Sequence, residues 1–275
     1  MPINYVLVPV SLDERDEKML EYACGLGSQG VNRLLVATAV ETSGVEAPVI
    51  AAEVDRARER LAAMTASTRD SGMHVEVRVV TGDTANAIVS LAHQAGIDVI
   101  CLATEGKSSV DYMLAGSVSE DLVSTGTDRI MTVRYSLLEA AEHPSSLARD
   151  FARRLVVATD FSSSGTRAWL SAFDRPRDAI GELVLLHVAA PGEDFSRAEI
   201  RLHGMLEIAE EHDVPARCEI REGEPAQTIL TFLEESHATG VITGRRGRGR
   251  LRQAILGSVS MRILREAPCP VVIQP

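Results

Sequence analysis

Apolar residues along the chain form two kinds of run, which predict two kinds of element. In the first half, short runs rich in Val, Ile and Leu lack polar alternation, which is typical of strands covered on both faces. Between them, Ile50 to Met64 and Ala85 to Ala95 carry apolar residues three and four positions apart, the spacing of an amphipathic helix. The predicted strands are residues 4–10, 32–40, 74–81, 97–103 and 129–134. This alternation predicts an α/β fold with a parallel sheet, right-handed crossovers and helices on both faces.

The same order of elements occurs twice. Leu155–Asp160 has the apolar character of Tyr5–Val10, and Gly257-Ser-Val-Ser260 repeats Gly116-Ser-Val-Ser119 at a distance of 141 residues. Matching order and spacing at low identity indicate two homologous domains. Ligands of such sheets bind beyond the carboxyl ends of the strands, where the strand order reverses. The loops after the first and fourth strands of each copy are therefore the candidate sites.

The boundary between the copies is predicted from turn-forming residues. We predict domains at residues 1–140 and 151–275, joined by a linker at 141–150 that contains Pro144-Ser-Ser146. In the second copy, Pro225 is expected in the first turn of a helix, where proline is well tolerated.

Composition narrows the functional classes. The chain has 275 residues and a formal net charge of −11, which disfavours general nucleic-acid binding. Its four cysteines form no CxxC pair, so neither a zinc knuckle nor a disulfide scaffold is indicated, and no metal site is expected. No apolar run approaches the roughly 20 residues of a membrane helix, and the first residues lack a basic signal-peptide region. A cytoplasmic protein is expected.

A glycine-rich loop in the second copy carries the strongest chemical signal. Gly244 and Gly247 are followed, after nine residues, by Gly257 and Ser258. Glycines permit close backbone approach to a ligand, and a helix beginning near Ser258 would offer free N–H groups to an anion. Five arginines and no acidic residue separate Gly244 from Gly257: Arg245, Arg246, Arg248, Arg250 and Arg252. Two interpretations stay open, a phosphate site or an arginine-rich surface loop before an ordinary helix cap.

The equivalent loop of the first copy is altered. Ala103 replaces the first glycine, while Gly106, Gly116 and Ser117 keep the spacing. The loop is net acidic, and Glu120 stands where it can cap the free N–H groups of the following helix. The same scaffold is thus predicted to be closed to phosphate in the first copy and open in the second.

Through these motifs the chain resembles the universal stress protein family in its tandem, two-domain form. The G-x2-G-x9-G-[S/T] motif of Gly244, Gly247, Gly257 and Ser258 matches the family's ATP-binding signature, and Ala267–Ile273 resembles its last strand. The resemblance implies two tandem, open, doubly wound, five-stranded parallel sheets of the Rossmann-like, adenine-nucleotide alpha-hydrolase-like type. It also implies that the two domains pair through their last strands about a pseudo-two-fold axis, with further homodimerisation expected.

The resemblance also assigns ligand contacts. It implies that Asp160, ending the first strand, contacts the nucleoside and that Val188 lines the adenine pocket. An Asp at this position also commonly caps or turns the chain, and that alternative remains. The residues implied to contact the nucleotide are Ala158, Thr159, Asp160, Val188, Thr243, Gly244, Arg246, Gly247, Gly257, Ser258, Val259 and Ser260. In the first copy Ser11 and Ala39 replace Asp160 and Val188.

Three functional classes follow. The favoured one is a stress-response regulatory protein that binds ATP or AMP, with or without Mg²⁺, and is not an enzyme. The second is an enzyme with weak ATP hydrolysis or phosphotransfer, and the third is a nucleotide-independent scaffold.

The GxGxxG of Gly25–Gly30 follows a predicted helix rather than a strand, so helix termination is the better interpretation. No catalytic residue is assigned.

Overall fold

The computed structural model describes residues 2–105, 129–247 and 256–275, except for the side chains of residues 69 and 70. The strands are β1 (Tyr5–Pro9), β2 (Arg33–Val40), β3 (His74–Thr81), β4 (Val99–Thr104), β5 (Ile130–Arg134), β6 (Arg154–Ala158), β7 (Glu182–Ala189), β8 (Ala216–Glu222), β9 (Gly240–Gly244) and β10 (Val271–Gln274). The α-helices are α1 (Asp16–Gly25), α2 (Ala47–Met64), α3 (Thr84–Ala95), α4 (Tyr135–Ala140), α5 (Pro144–Arg149), α6 (Ser163–Ser171), α7 (Ser196–Glu211), α8 (Pro225–Glu235) and α9 (Ser258–Glu266). The α/β fold and the strand order along the chain are confirmed.

The ten strands of the described residues form one sheet in the order β3-β2-β1-β4-β5-β10-β9-β6-β7-β8. Each half has the same parallel order, in which the first strand lies between the second and the fourth. The strand order therefore reverses beside β1 in the first copy and beside β6 in the second. The carboxyl ends of β6 and β9 lie side by side there, because Ala158 pairs with Thr243.

The two copies meet through their last strands. β5 and β10 run antiparallel, with Val271 opposite Thr132 and Ile273 opposite Ile130. The predicted pairing of the last strands is confirmed. It joins the two five-stranded halves into one continuous sheet and covers an apolar edge that would otherwise invite aggregation.

The sheet separates two apolar layers. Val6 and Val8 of β1 face one core cluster, and Tyr5 and Leu7 face the other. Successive side chains of a strand point to opposite faces, so a strand covered by helices on both sides must be apolar throughout. This explains why the sequence showed continuous apolar runs rather than alternation.

The segment between the copies is largely helical, since α5 occupies most of residues 141–150. It packs closely on the end of α1, where a Cβ on Gly25 would lie 2.1 Å from the carbonyl oxygen of Ser145. Gly30, which ends the same glycine-rich stretch, has a φ of 96° in the left-handed region. Gly25–Gly30 therefore ends a helix and admits α5, as helix termination predicts. The domain boundaries themselves stay a prediction.

Candidate functional site

A cavity of about 740 Å³ opens at the carboxyl ends of β6 and β9, where the strand order reverses. Its lining includes Ala158, Thr159, Asp160, Val188, Thr243, Gly244, Arg246, Gly247, Gly257, Ser258, Val259 and Ser260. These are the twelve residues selected from the sequence, and the fold brings them all to one place. The volume is within the range usual for small-molecule pockets.

The turn after β6 sets the position of Asp160. The backbone N–H of Ser162 donates to Asp160 Oδ1 at 3.0 Å, and that of Phe161 donates to Thr159 Oγ1 at 3.0 Å. Phe161 has a φ of 61°, a left-handed conformation that costs free energy for a residue with a Cβ and requires such support. Asp160 thus performs the turn role that the sequence left open, and its carboxylate also lines the cavity.

Two glycines of the loop allow close packing around the site. A Cβ on Gly244 would lie 2.8 Å from the backbone carbon of Ser164 and 2.9 Å from the nitrogen of Gly165. One on Gly247 would lie 2.8 Å from Asp160 Oδ2. Side chains at these positions would push the loop away from α6 and from the carboxylate that lines the cavity.

The N-terminus of α9 forms another wall. Gly257 is its N-cap and makes no side-chain capping bond, while Ser258 is exposed at the first helical position. The first N–H groups of an α-helix have no acceptor within the helix, so this end suits an anion. Ser260 is buried, and its hydroxyl donates to the carbonyl of Gly244 at 2.7 Å. Ser260 therefore ties the helix to the glycine loop.

Four wall residues give the cavity an apolar end, of which the sequence had indicated Val188 but not Leu186, Pro225 or Ile229. Leu186 and Val188 stand on one face of β7, and Pro225 and Ile229 stand one turn apart on α8. Leu186 could have been found from its alternation with Val188, and Ile229 from its helical spacing to Pro225. Gly165, Leu256 and Met261 complete the lining. Pro225 occupies the first turn of α8, as predicted.

The N-terminus of α8 is already capped by its own side chain. Glu224 accepts from the backbone N–H groups of Gln227 and Ala226, at 2.7 and 3.1 Å, and these bonds lower the pKa of its carboxyl group. Arg262 of α9 donates to the same carboxylate at 3.0 Å. The N-terminus of α8 is therefore occupied by a carboxylate, in contrast to the N-terminus of α9.

The sequence profile of the universal stress protein family matches residues 3–134 and again residues 152–275. The chain belongs to the universal stress protein family. A universal stress protein of Mycobacterium bovis is 26% identical over 240 residues, covering 82% of this chain and 75% of that protein. One from Methanocaldococcus jannaschii is 28% identical over 138 residues, covering 50% of this chain and 73% of its own. The crystal structure of a universal stress protein from Archaeoglobus fulgidus has a TM-score of 0.82 and 26% identity, covering 100% of this chain and 99% of its own.

The arginines of this universal stress protein loop do not share one environment. Arg246 is exposed and lines the cavity, and its carbonyl accepts from the hydroxyl groups of Ser162 and Ser164. Arg245 is buried at 3% exposure and is not part of the cavity lining. Of the five arginines that the sequence places in this loop, Arg245 therefore does not line the cavity. Arg248, Arg250 and Arg252 lie outside the described residues.

The equivalent site in the first universal stress protein copy is described only in part, because residues 106–128 lie outside the described residues. The described residues there enclose about 90 Å³, with Ser11, Ala39 and Ala103 in the lining. Asp16 and Tyr135 also line this space. Above them, Arg15 lies 4.3 Å from the centre of the Tyr135 ring and pairs with Glu105. The cap proposed for Glu120, with Gly106, Gly116 and Ser117, lies outside the described residues.

Asp16 holds the turn that Asp160 holds in the second copy. The sheet register aligns Ser11 with Asp160 and Asp16 with Gly165. Asp16 Oδ2 accepts from the backbone N–H of Asp13 at 3.1 Å, and Leu12 has a φ of 65° that matches Phe161. Burial raises the pKa of the Asp16 carboxyl group, and hydrogen bonds from the loop offset part of this rise. The same backbone turn thus uses a carboxylate from a different position.

His187 lies beside the cavity but faces away from it. It alternates with Leu186 and Val188, its Nδ1 is 2.9 Å from the carbonyl of Thr159, and its ring packs on Phe161 at 4.5 Å. A structural role supporting the turn follows.

Within residues 2–105, 129–247 and 256–275, no group of three or more His, Cys, Asp or Glu side chains could hold a metal ion. No helix in this part of the chain has the length and apolarity needed to cross a membrane. The four cysteines are unpaired, and Cys101 and Cys269 are buried, as expected for core thiols.

Proposed function

We propose that residues 151–275 bind one adenine nucleotide, ATP or AMP, and that the protein acts as a cytoplasmic stress-response regulator rather than as an enzyme. The observation that carries the proposal is the convergence of all twelve motif residues on one cavity of about 740 Å³. The first copy offers about 90 Å³ at the equivalent place, so one nucleotide per chain is expected.

The two ends of the cavity differ as the two ends of a nucleotide do. Leu186, Val188 and Ile229 give an apolar slot of the kind that receives a purine ring. The glycine loop, Arg246 and the start of α9 give backbone N–H groups and positive charge for phosphate. Asp160 lies at the end of β6 between them, and we assign its carboxylate to the ribose hydroxyls.

The residues that line the cavity favour nucleotide binding without efficient hydrolysis or phosphoryl transfer. Asp160 is the one carboxylate among its described residues, whereas phosphoryl transfer enzymes hold Mg²⁺ with several ligands and orient the attacking group. His187, the nearest histidine on β7, faces the other side of the sheet. If Mg²⁺ accompanies ATP, its remaining ligands would come from the phosphates and water.

The test is calorimetric titration of the full chain with Mg·ATP and with AMP, together with mass spectrometry of any nucleotide released on denaturation. The expected result is one site per chain. Two equal sites would refute the proposed asymmetry, and no binding of either nucleotide would refute the function. Steady release of ADP in a turnover assay would favour the enzyme alternative instead.

A further inference from the structure

The contact between β5 and β10, here called the seam, includes a side chain of the first copy that reaches toward the second copy's glycine-rich loop. This loop, from Gly244 to Ser258, is called the nucleotide loop below. Arg129 immediately precedes β5 of the first copy, and its carbonyl accepts from the backbone N–H of Ile100 at 3.0 Å. Its backbone therefore belongs to the first copy's sheet. Its guanidinium crosses the seam and is only 13% exposed.

Across the seam, Arg129 contacts two residues of the second copy. Its Nε donates to Gln274 Oε1 at 2.8 Å, and its Nη2 lies 2.7 Å from Asp174 Oδ2. A guanidinium presents its N–H donors in a rigid planar fork, so both contacts fix one orientation. The bond to Gln274 holds that side chain at 9% exposure, at the end of β10.

Gln274 in turn fixes the start of the nucleotide loop. It is the register partner of Gly244, and its carbonyl accepts from the backbone N–H of Arg245 at 2.7 Å. The carbonyl of Arg245 then accepts from the backbone N–H of Gly257 at 2.9 Å, which joins both ends of the loop. Gly244, Arg246 and Gly257 all line the cavity.

We propose that Arg129 is a positioning residue: through Gln274, the first copy holds the two described ends of the second copy's nucleotide loop, at Gly244–Gly247 and at Gly257, in their binding geometry. This inference rests on the proposed nucleotide site. The link runs in one direction only, because the position equivalent to Arg129 in the second copy is Pro270, which has no side-chain donor. It is therefore not a by-product of the repeated fold.

The test is a double-mutant cycle in the full chain, with Mg·ATP titrated well below the unfolding temperature of every variant. Arg129→Met removes both contacts, while Gln274→Leu removes only the acceptor and leaves the pair with Asp174. Each is expected to weaken ATP binding roughly three- to tenfold, and the double variant no more than the weaker-binding single, because contacting residues are not additive. Arg33→Met is the matched control, since it deletes an arginine that pairs with Glu76 at 2.8 Å far from the seam.

Three outcomes decide the matter. Affinity of Gln274→Leu within twofold of the unmodified protein would overturn the proposal, even if Arg129→Met proved too unstable to measure. Additive losses in the double variant would also overturn it, because the two residues would then act separately. Failure of the unmodified chain to bind ATP would instead refute the nucleotide site itself.

Discussion

The two copies support the same left-handed backbone turn with a carboxylate from different sequence positions. In the second copy Asp160 supports the left-handed turn from within it, and Gly165 leaves the space above the strands open. In the first copy Ser11 replaces that aspartate, and Asp16 supports the turn from the helix while lining the equivalent space. Moving one carboxylate by five positions therefore preserves the turn and places a charged side chain in the described part of the first copy's site. The difference teaches that one backbone turn can be supported from two sequence positions, and that the choice changes which side chain lines the site.

Exchanging the carboxylate position in the second copy should give the largest effect. The double variant Asp160→Ser with Gly165→Asp reproduces the arrangement of the first copy. We expect ATP binding to fall by at least about 1,000-fold, because a charged hydrogen bond is lost and the space is filled.

The control for this exchange is its own single variants. Gly165→Asp alone places a second carboxylate beside Asp160, since a Cβ there would lie 3.1 Å from Asp160 Oδ1. It should therefore unfold at lower denaturant concentration than the double variant. A double variant less stable than both singles would contradict the equivalence of the two arrangements.

Gly247→Val should weaken ATP binding by at least about 100-fold in a folded protein. Its Cβ would meet Asp160 Oδ2, and its methyl groups would occupy the approach to the phosphates. Calorimetric titration measures the loss. Gly204→Val on α7 is the matched control, because a Cβ at Gly204 has open space, and unchanged affinity in folded Gly247→Val would refute the site assignment.

Asp160→Asn isolates the charge of that residue from its turn role. The amide keeps an oxygen that can accept from Ser162, so the unfolding temperature should change little. Loss of a charged partner for the nucleoside should weaken ATP binding by about tenfold. Equal affinities by titration would show that Asp160 serves the turn alone.

Asp16→Asn should give the smallest effect, visible in the pH dependence of stability. The pKa of Asp16 is raised in the folded state, so the native chain holds more protons than the unfolded chain between the two pKa values. This group therefore lowers stability as pH rises through that interval. We expect the stability of Asp16→Asn relative to the unmodified chain to increase from acidic to neutral pH in urea unfolding.

The exposed Glu17, in the same helical turn as Asp16, provides the comparison through Glu17→Gln. If the stability of Asp16→Asn relative to the unmodified chain fell as pH rose, the raised pKa that burial gives to the Asp16 carboxyl group would be contradicted.

Much of the fold was readable because it depends on local patterns. Continuous apolar runs marked the strands, Pro225 marked the start of α8, and the motif from Gly244 to Ser258 pointed to one wall of the second copy's cavity. The sheet order then followed from parallel crossovers, which leave few alternatives.

The lining of the first copy's site was not readable, because it brings together residues that are far apart in the sequence. The sequence pointed to Glu120 and the acidic loop, which stay a prediction, and gave no sign that Asp16 and Tyr135 line the described part of the site. Asp16 reads as an ordinary first-turn helix residue, and Tyr135 follows the last strand of its copy. Similarly, the sequence shows Arg245 as one of five arginines in the loop and gives no sign that its side chain is buried.

The antiparallel contact of β5 with β10 has a consequence for how such asymmetry can persist. In a dimer of identical chains, a change that fills one site fills both, and dilution separates the partners. Here the two strands are covalently tethered, so their contact forms at an effective concentration that does not depend on how much protein is present. Each molecule therefore contains both kinds of half in fixed ratio, and each half is free to change its residues without its neighbour following.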